Sequence, residues 1–437
     1  MSAATRSLPT GLRAFRHRNF RLFYAGQAVS LVGTWMQQVA QGWLVLQLTN
    51  DAFALGLVAA AQFLPVMFLG LFGGVAADAI PKRNGLIATQ VISGALALIL
   101  GLLAVTDHVE VWQVIVLALA LGVVNAFDMP IRQSFVVEMV GREDIASAVG
   151  FNSALFNGTR IIGPAIAGLL IAVTGVVPCF FINAASYVAV VVGLLLMRPN
   201  ELIDHPRPGR PHSVREVNQQ LVEGLRYVRA TPVILLAVCL VGIVSMFALN
   251  NQVLLPLAAT DLLGGGAAVY GFLGAASGIG SLISSLSMAF GQRPTIRLLL
   301  VGAGALGLSM LLLGLSTNLL ISLLVMVLAG WGLIAMAATT NTTIQLTVPD
   351  ELRGRVMSVY TTIFAGASPI GALLSGTIAA TAGAAVALIL GGAAALIATG
   401  VAAWLVLRSP RIAMSTGVSR DPLADPDGAT AAPARRT

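Results

Sequence analysis

Long apolar windows, separated by short polar punctuation, run along almost the whole chain. They predict helices near 20–47, 54–77, 85–105, 111–131 or beyond, 147–172 and 177–197. After a polar interval they resume near 233–259, 268–291, 296–316, 319–341, 355–380 and 384–407. A bilayer's hydrocarbon takes about 20 apolar residues of helix at about 1.5 Å each, so every window is long enough to cross. The expected fold class is an all-α integral membrane protein with twelve transmembrane helices in two related six-helix halves. Its expected parts are an N-terminal segment (1–19), a first half (20–197), a linker (198–231), a second half (232–407) and a disordered tail (408–437).

Charge placement gives the orientation. The chain of 437 residues is 57% hydrophobic and only 10% charged, against about 25% charged in an ordinary soluble domain. Of its 25 Lys and Arg residues, all but Arg160 fall at the termini or in alternate loops on one side. The opposite loops carry only Asp51, Asp107, Glu110 and Asp261. Basic residues collect in cytoplasmic loops, so both termini and the linker are expected in the cytoplasm of a bacterial cell, under its inner membrane. The net charge of +7 thus reads as topology and lipid contact, with no nucleic-acid stripe. No cleavable signal peptide is evident, and the first apolar run is expected to stay as an anchor. In the linker, Val214, Val217, Leu221, Leu225 and Val228 recur at helical spacing beside Arg215, Arg226 and Arg229, which predicts a helix along the inner membrane surface. A Pro-rich run, Pro206, Pro208 and Pro211, precedes it.

The two halves share a motif at constant offset. Glu143, Phe156, Gly158, Gly163 and Gly168 align with Glu351, Phe364, Gly366, Gly371 and Gly376. Related halves place a substrate cavity between them near the bilayer midplane. On this pattern the chain resembles the major facilitator superfamily from Asn19 to Arg408. The stretch Gly74 to Arg83, with Asp78, Lys82 and Arg83, is similar to that superfamily's loop motif, departing at Ala79 and Pro81. Thr159, Gly163, Pro164, Ala167 and Gly168 resemble its antiporter motif in part. Asp128 to Gln133, Arg160 to Pro164 and Glu223 to Pro232 look most like the enterobactin-exporter branch, and that resemblance implies efflux of siderophores, macrolide-like or other amphipathic compounds.

Intramembrane charges are costly, so each needs a partner or water. Arg160 in the fifth helix and Asp128 near the cytoplasmic end of the fourth are expected to pair, with protonation of Asp128 freeing Arg160. A static pair that fixes helix packing is the alternative. Asp78, Lys82, Arg83, Arg132 and Glu138 form an expected cytoplasmic gate network, with a solvated topology-setting loop as the plainer reading; the resemblance places Asp78 against the start of the eleventh helix near Gly354. Gln27, Ser30, Thr34, Gln37 or Gln38, and Gln41 recur every three or four residues on the first helix. Cavity lining and helix-to-helix hydrogen bonds both fit that stripe; Asn250, Asn251 and Gln252 are its counterparts in the seventh helix. Glycines and prolines inside apolar runs, Pro65, Pro164, Pro256 and Pro369 among them, permit close helix approach and bending.

These residues support a proton-coupled exporter of small amphipathic molecules working by alternating access. Uptake by symport stays open, as does a signalling role on a transporter scaffold. A membrane enzyme would need clustered His, Asp or Glu within the helices, and only four histidines occur, all expected in loops. There is no Gly-rich loop ending in Lys and Ser or Thr to bind a nucleotide, and Cys179 and Cys239 have no ligand-spaced companions, so neither cofactor nor metal is expected.

Overall fold

The computed structural model describes residues 10–203, 214–291 and 294–408, and every regular element among them is helical. The Pro-rich run, the tail after Arg408 and the side chains at 71–79 and 214–220 lie outside the described residues. In the first half, α1 (Arg18–Thr49), α2 (Ala52–Ala79) and α3 (Lys82–Val105) precede a continuous run, Val111–Thr174, of 64 residues. At about 1.5 Å per residue that run measures about 96 Å, three bilayer cores in length, and cannot be one span. It breaks at Gly141, whose φ of 73° and ψ of 174° suit glycine alone, giving α4 (111–140) and α5 (142–174). The carbonyl of Glu138, orphaned by the break, accepts the backbone N–H of Ile203 at 2.8 Å. α6 (Val177–Leu195) completes this half.

The linker helix α7 (Val214–Ala230) leads into the second half. It packs on a later span through Gly224, where an added Cβ would lie 2.6 Å from the Arg355 carbonyl oxygen, and through a Glu223–Arg355 ion pair. Val228 is buried, while Arg226 and Arg229 stay exposed. The seventh span, expected as one helix over 233–259, is discontinuous. α8 (Pro232–Ala248) stops, and α9 (Asn251–Leu257) resumes into a wide π turn, Ala258–Leu262. The break lies at Asn250, whose side-chain amide donates to the Met246 carbonyl and to Ser375 Oγ, both at 2.8 Å. Such local side-chain bonds compete with the helix ladder. α10 (Ala267–Ala289), α11 (Ile296–Leu315), α12 (Leu319–Thr347), α13 (Asp350–Ala382) and α14 (Ala384–Arg408) follow.

Ten helical runs among the described residues are long and apolar enough to cross a membrane. One of them is the run that Gly141 divides in two, and α1 spans as well although its glutamines lower its hydropathy, so the crossings number twelve.

Two seams join the halves, and the repeat explains why they match. Along α5, a Cβ built at Gly168 would lie 2.8 Å from the Ala267 carbonyl oxygen and 2.9 Å from Gly271 Cα in α10. Along α13, one at Gly376 would lie 2.8 Å from the Ala52 carbonyl oxygen and 3.1 Å from Gly56 Cα in α2. One turn earlier, Gly163 meets Val32 and Trp35 of α1, and Gly371 meets Met246 of α8 and Asn250 at the break after it. Two of the three glycine pairs aligned by the sequence offset thus occupy equivalent crossings; in the third, Gly366 meets Met67 of α2 while Gly158 meets no atom within 4 Å. Both seams lie toward the face opposite the termini. Toward the terminal face, Gly150, Gly158 and Gly354 would meet no atom within 4 Å.

Candidate functional site

A buried polar cluster fills the first half. Asp128 is 3% exposed, and α4 runs on to Val140, so it lies about 18 Å from that helix end and deeper than expected. Its Oδ1 accepts Thr89 Oγ1 at 2.6 Å and Gln90 Nε2 at 2.9 Å from α3. Its Oδ2 accepts Arg132 Nε at 2.9 Å and a second bond from Arg132 Nη2. Arg132 Nη1 also donates to Gln27 Oε1, so one charged pair ties α1, α3 and α4 together. A carboxylate accepts only, and four donors satisfy it without outside help.

The expected Asp128–Arg160 pair is therefore absent. Arg132, one turn along the same helix, holds the carboxylate, and α5 carries Arg160 elsewhere. For the same reason Arg132 does not belong to the terminal-face network, because the extended α4 buries it about 12 Å below Val140. At that face Lys82 pairs with Glu138. Arg83 instead caps α6, donating to the carbonyls of Leu194 and Leu195 at 2.7 and 3.1 Å, where a helix C-terminus favours a cation. The side chain of Asp78 lies outside the described residues.

The polar stripe of α1 divides between two tasks. Gln27 bonds Arg132, Gln37 accepts Asn183 Nδ2 at 2.6 Å, and Thr34 is hydrogen-bonded to Tyr187, so these three bind helices within the half. Gln38 and Gln41 line a small cavity between the halves, together with Gln62 of α2 and Gln252 of α9. Of the three seventh-helix amides, Asn250 is spent on the helix break and Gln252 lines the cavity.

The antiporter-like residues build the α5 seam. Thr159 is buried with its hydroxyl on the Leu155 carbonyl at 2.9 Å, Ala167 is fully buried, and Gly163 and Gly168 form the crossings described above. Pro164 has no N–H for the Arg160 carbonyl one turn back. That carbonyl lies instead against α10, 2.8 Å from a Cβ built at Gly278.

The profile of the transmembrane secretion effectors matches residues 9–436. The chain belongs to that family. Among similar proteins, the multidrug efflux pump Tap of Mycolicibacterium fortuitum is 30% identical over 79% of this secretion effector and 85% of its own length. Macrolide efflux protein A of Streptococcus pyogenes is 26% identical over 82% and 89%. The solved structure of the POT family transporter PepTSo superposes with a TM-score of 0.71 at 15% identity, covering 89% of this chain and 98% of that one. This last likeness concerns the fold, and it establishes the major facilitator architecture.

Several residues of this secretion effector's site had weak sequence signals. Thr89 and Gln90 form the one adjacent polar pair inside the apolar run of α3, and that pair marks the carboxylate's partners. Asp144, 2% exposed, binds Arg16 Nε at 2.7 Å and His17 Nε2 at 2.8 Å, pinning the N-terminal segment to the start of α5. Nothing in the spacing pointed to that contact, because more than a hundred residues separate the partners.

Proposed function

We propose that this protein exports small amphipathic molecules, of macrolide-, drug- or siderophore-like type, from the bacterial cytoplasm across the inner membrane by alternating access in exchange for protons. The observation that carries the reading is the pattern of glycine crossings: toward one face α5 meets α10 and α13 meets α2 across the halves, while Gly150 and Gly354 toward the other would meet no atom within 4 Å. A packed pair of halves with one face closed is one of the two states that alternating access requires. Export is supported by the relatives, Tap and macrolide efflux protein A, whose names describe efflux. Cytoplasmic termini are supported by the one-sided Lys and Arg distribution.

In this reading Asp128 is the proton-accepting group, and Arg132 is the partner that it releases. Protonation removes the charge that Arg132 compensates and loosens the tie to Gln27 in α1. The Lys82–Glu138 pair, with Asp78 nearby in sequence, serves the cytoplasmic gate. Everted vesicles test export: they should accumulate erythromycin or a dye under an inward-acid pH gradient and lose that accumulation when the gradient is collapsed. Accumulation that ignores the gradient overturns proton coupling, and failure to accumulate any macrolide, dye or siderophore overturns export.

A further inference from the structure

Arg160 sits near the middle of α5, about 27 Å from the helix start and about 21 Å from its end. Ile162, Ile166, Leu169 and Val173 are 43 to 84% exposed and mark the outward stripe of this helix. At 100° per residue, Arg160 lies about 120° to 180° around from the members of that stripe, on the inward side. It is nonetheless partly exposed there, as is Phe156 one turn before it. Both thus keep part of their side chains uncovered by the protein.

No carboxylate among the described residues pairs with the Arg160 guanidinium. The guanidinium lies over the ring of Trp35 in α1, whose centroid is 5.8 Å from Cζ. Trp35 meets Phe156 edge to face at 5.6 Å, and the Trp35 indole N–H is buried with no acceptor. The site thus offers as donors a planar fork of five N–H groups and one indole N–H, beside two aromatic faces. An intramembrane cation without a counter-charge is costly, and the second half supplies none, since the repeat places Ser368 at the equivalent position.

We infer that Arg160, Trp35 and Phe156 form an anion subsite that takes a carboxylate attached to an aromatic or flat apolar body. The carboxylate bridges the guanidinium fork, for which its geometry is matched, and the ring lies against Phe156 and Trp35. This rests on the exporter reading and adds to it a subsite that prefers amphipathic acids over their neutral analogues. The subsite also sits on the α5 seam, since the Arg160 carbonyl touches α10 at Gly278. A ligand held there is positioned to feel the halves separate.

Equilibrium dialysis of the purified full chain with radiolabelled 1-naphthylacetate and its neutral isostere 1-naphthylacetamide tests the subsite. The acid should bind at least about tenfold more tightly than the amide. Arg160→Gln should lower acid affinity by about tenfold and leave the amide unchanged, Arg160→Lys should restore part of the loss, and Trp35→Leu should weaken both ligands. Equal binding of acid and amide, binding of neither, or acid affinity indifferent to Arg160→Gln in a protein with the wild-type melting temperature each overturns the inference. Erythromycin accumulation in everted vesicles of the same variants separates the two readings: if it persists while the acid preference is absent, export stands and the anion subsite falls.

Discussion

Replacing Gly168 by Ala puts the seam under direct strain. The new methyl would sit 2.8 Å from the Ala267 carbonyl oxygen and 2.9 Å from Gly271 Cα, against ordinary carbon contacts of about 3.5 Å or more. Both neighbours are backbone, so relief requires α5 and α10 to part by about half an ångström or more. Overpacking of this kind costs about 1–3 kcal/mol, paid only in the state whose seam is closed. The population of that state should fall about 5- to 150-fold relative to the opposite one. Spin labels at Val173 and Asp261, on a chain with Cys179 and Cys239 replaced by Ala, report the separation of the seam ends by pulsed dipolar spectroscopy. Gly376→Ala should shift the equilibrium the same way, since its methyl meets Ala52 and Gly56 equally closely. Gly158→Ala should do nothing, because no atom lies within 4 Å of its added Cβ. An unchanged distance distribution in Gly168→Ala, or an equal shift in Gly158→Ala, refutes the reasoning.

Three further outcomes are expected. Asp128→Asn strands Arg132 and should lower stability by about 2–3 kcal/mol, below the 3–5 kcal/mol of a fully buried broken pair because the Arg132 side chain is 29% exposed; Asp128→Asn with Arg132→Gln should melt closer to wild type while still failing to couple transport to the pH gradient. Lys82→Glu and Glu138→Lys should each reduce export, and the double reversal should recover it with a coupling energy of about 1–2 kcal/mol in a double-mutant cycle. Asn250→Ala removes two hydrogen bonds at the break between α8 and α9, and thermal denaturation should show a loss of about 1–2 kcal/mol, which Ser375→Ala does not deepen by a like amount.

The fold was legible because lipid forces it to be. Every span needs about 20 apolar residues, so windows of hydropathy place most helices to within a few residues, and two of the three glycine pairs aligned at constant offset form matching crossings. The seventh span escaped that reading, since Asn250 breaks its helix through a bond to Ser375, more than a hundred residues away. The polar site was legible in composition and only partly in pairing. Asp128 and Arg160 stand out in the sequence as charges within apolar runs, but the length of α4 beyond residue 131 was open, and that length decides that Arg132 is deep enough to claim Asp128. In the same way the spacing of Gln27, Thr34, Gln37, Gln38 and Gln41 identified a polar face without telling which amides meet a neighbouring helix. Asn183 and Tyr187 on α6 decide that, and their approach is a matter of tertiary packing.

The central claim is exchange of cargo for protons through Asp128. It is tested most directly with purified protein in proteoliposomes holding a trapped pH-sensitive dye and no imposed gradient, to which erythromycin is added on one side. The account expects protons to move opposite to the compound, and expects Asp128→Asn to abolish that proton movement. Protons moving in the same direction as the compound, or moving unchanged in Asp128→Asn, would contradict it.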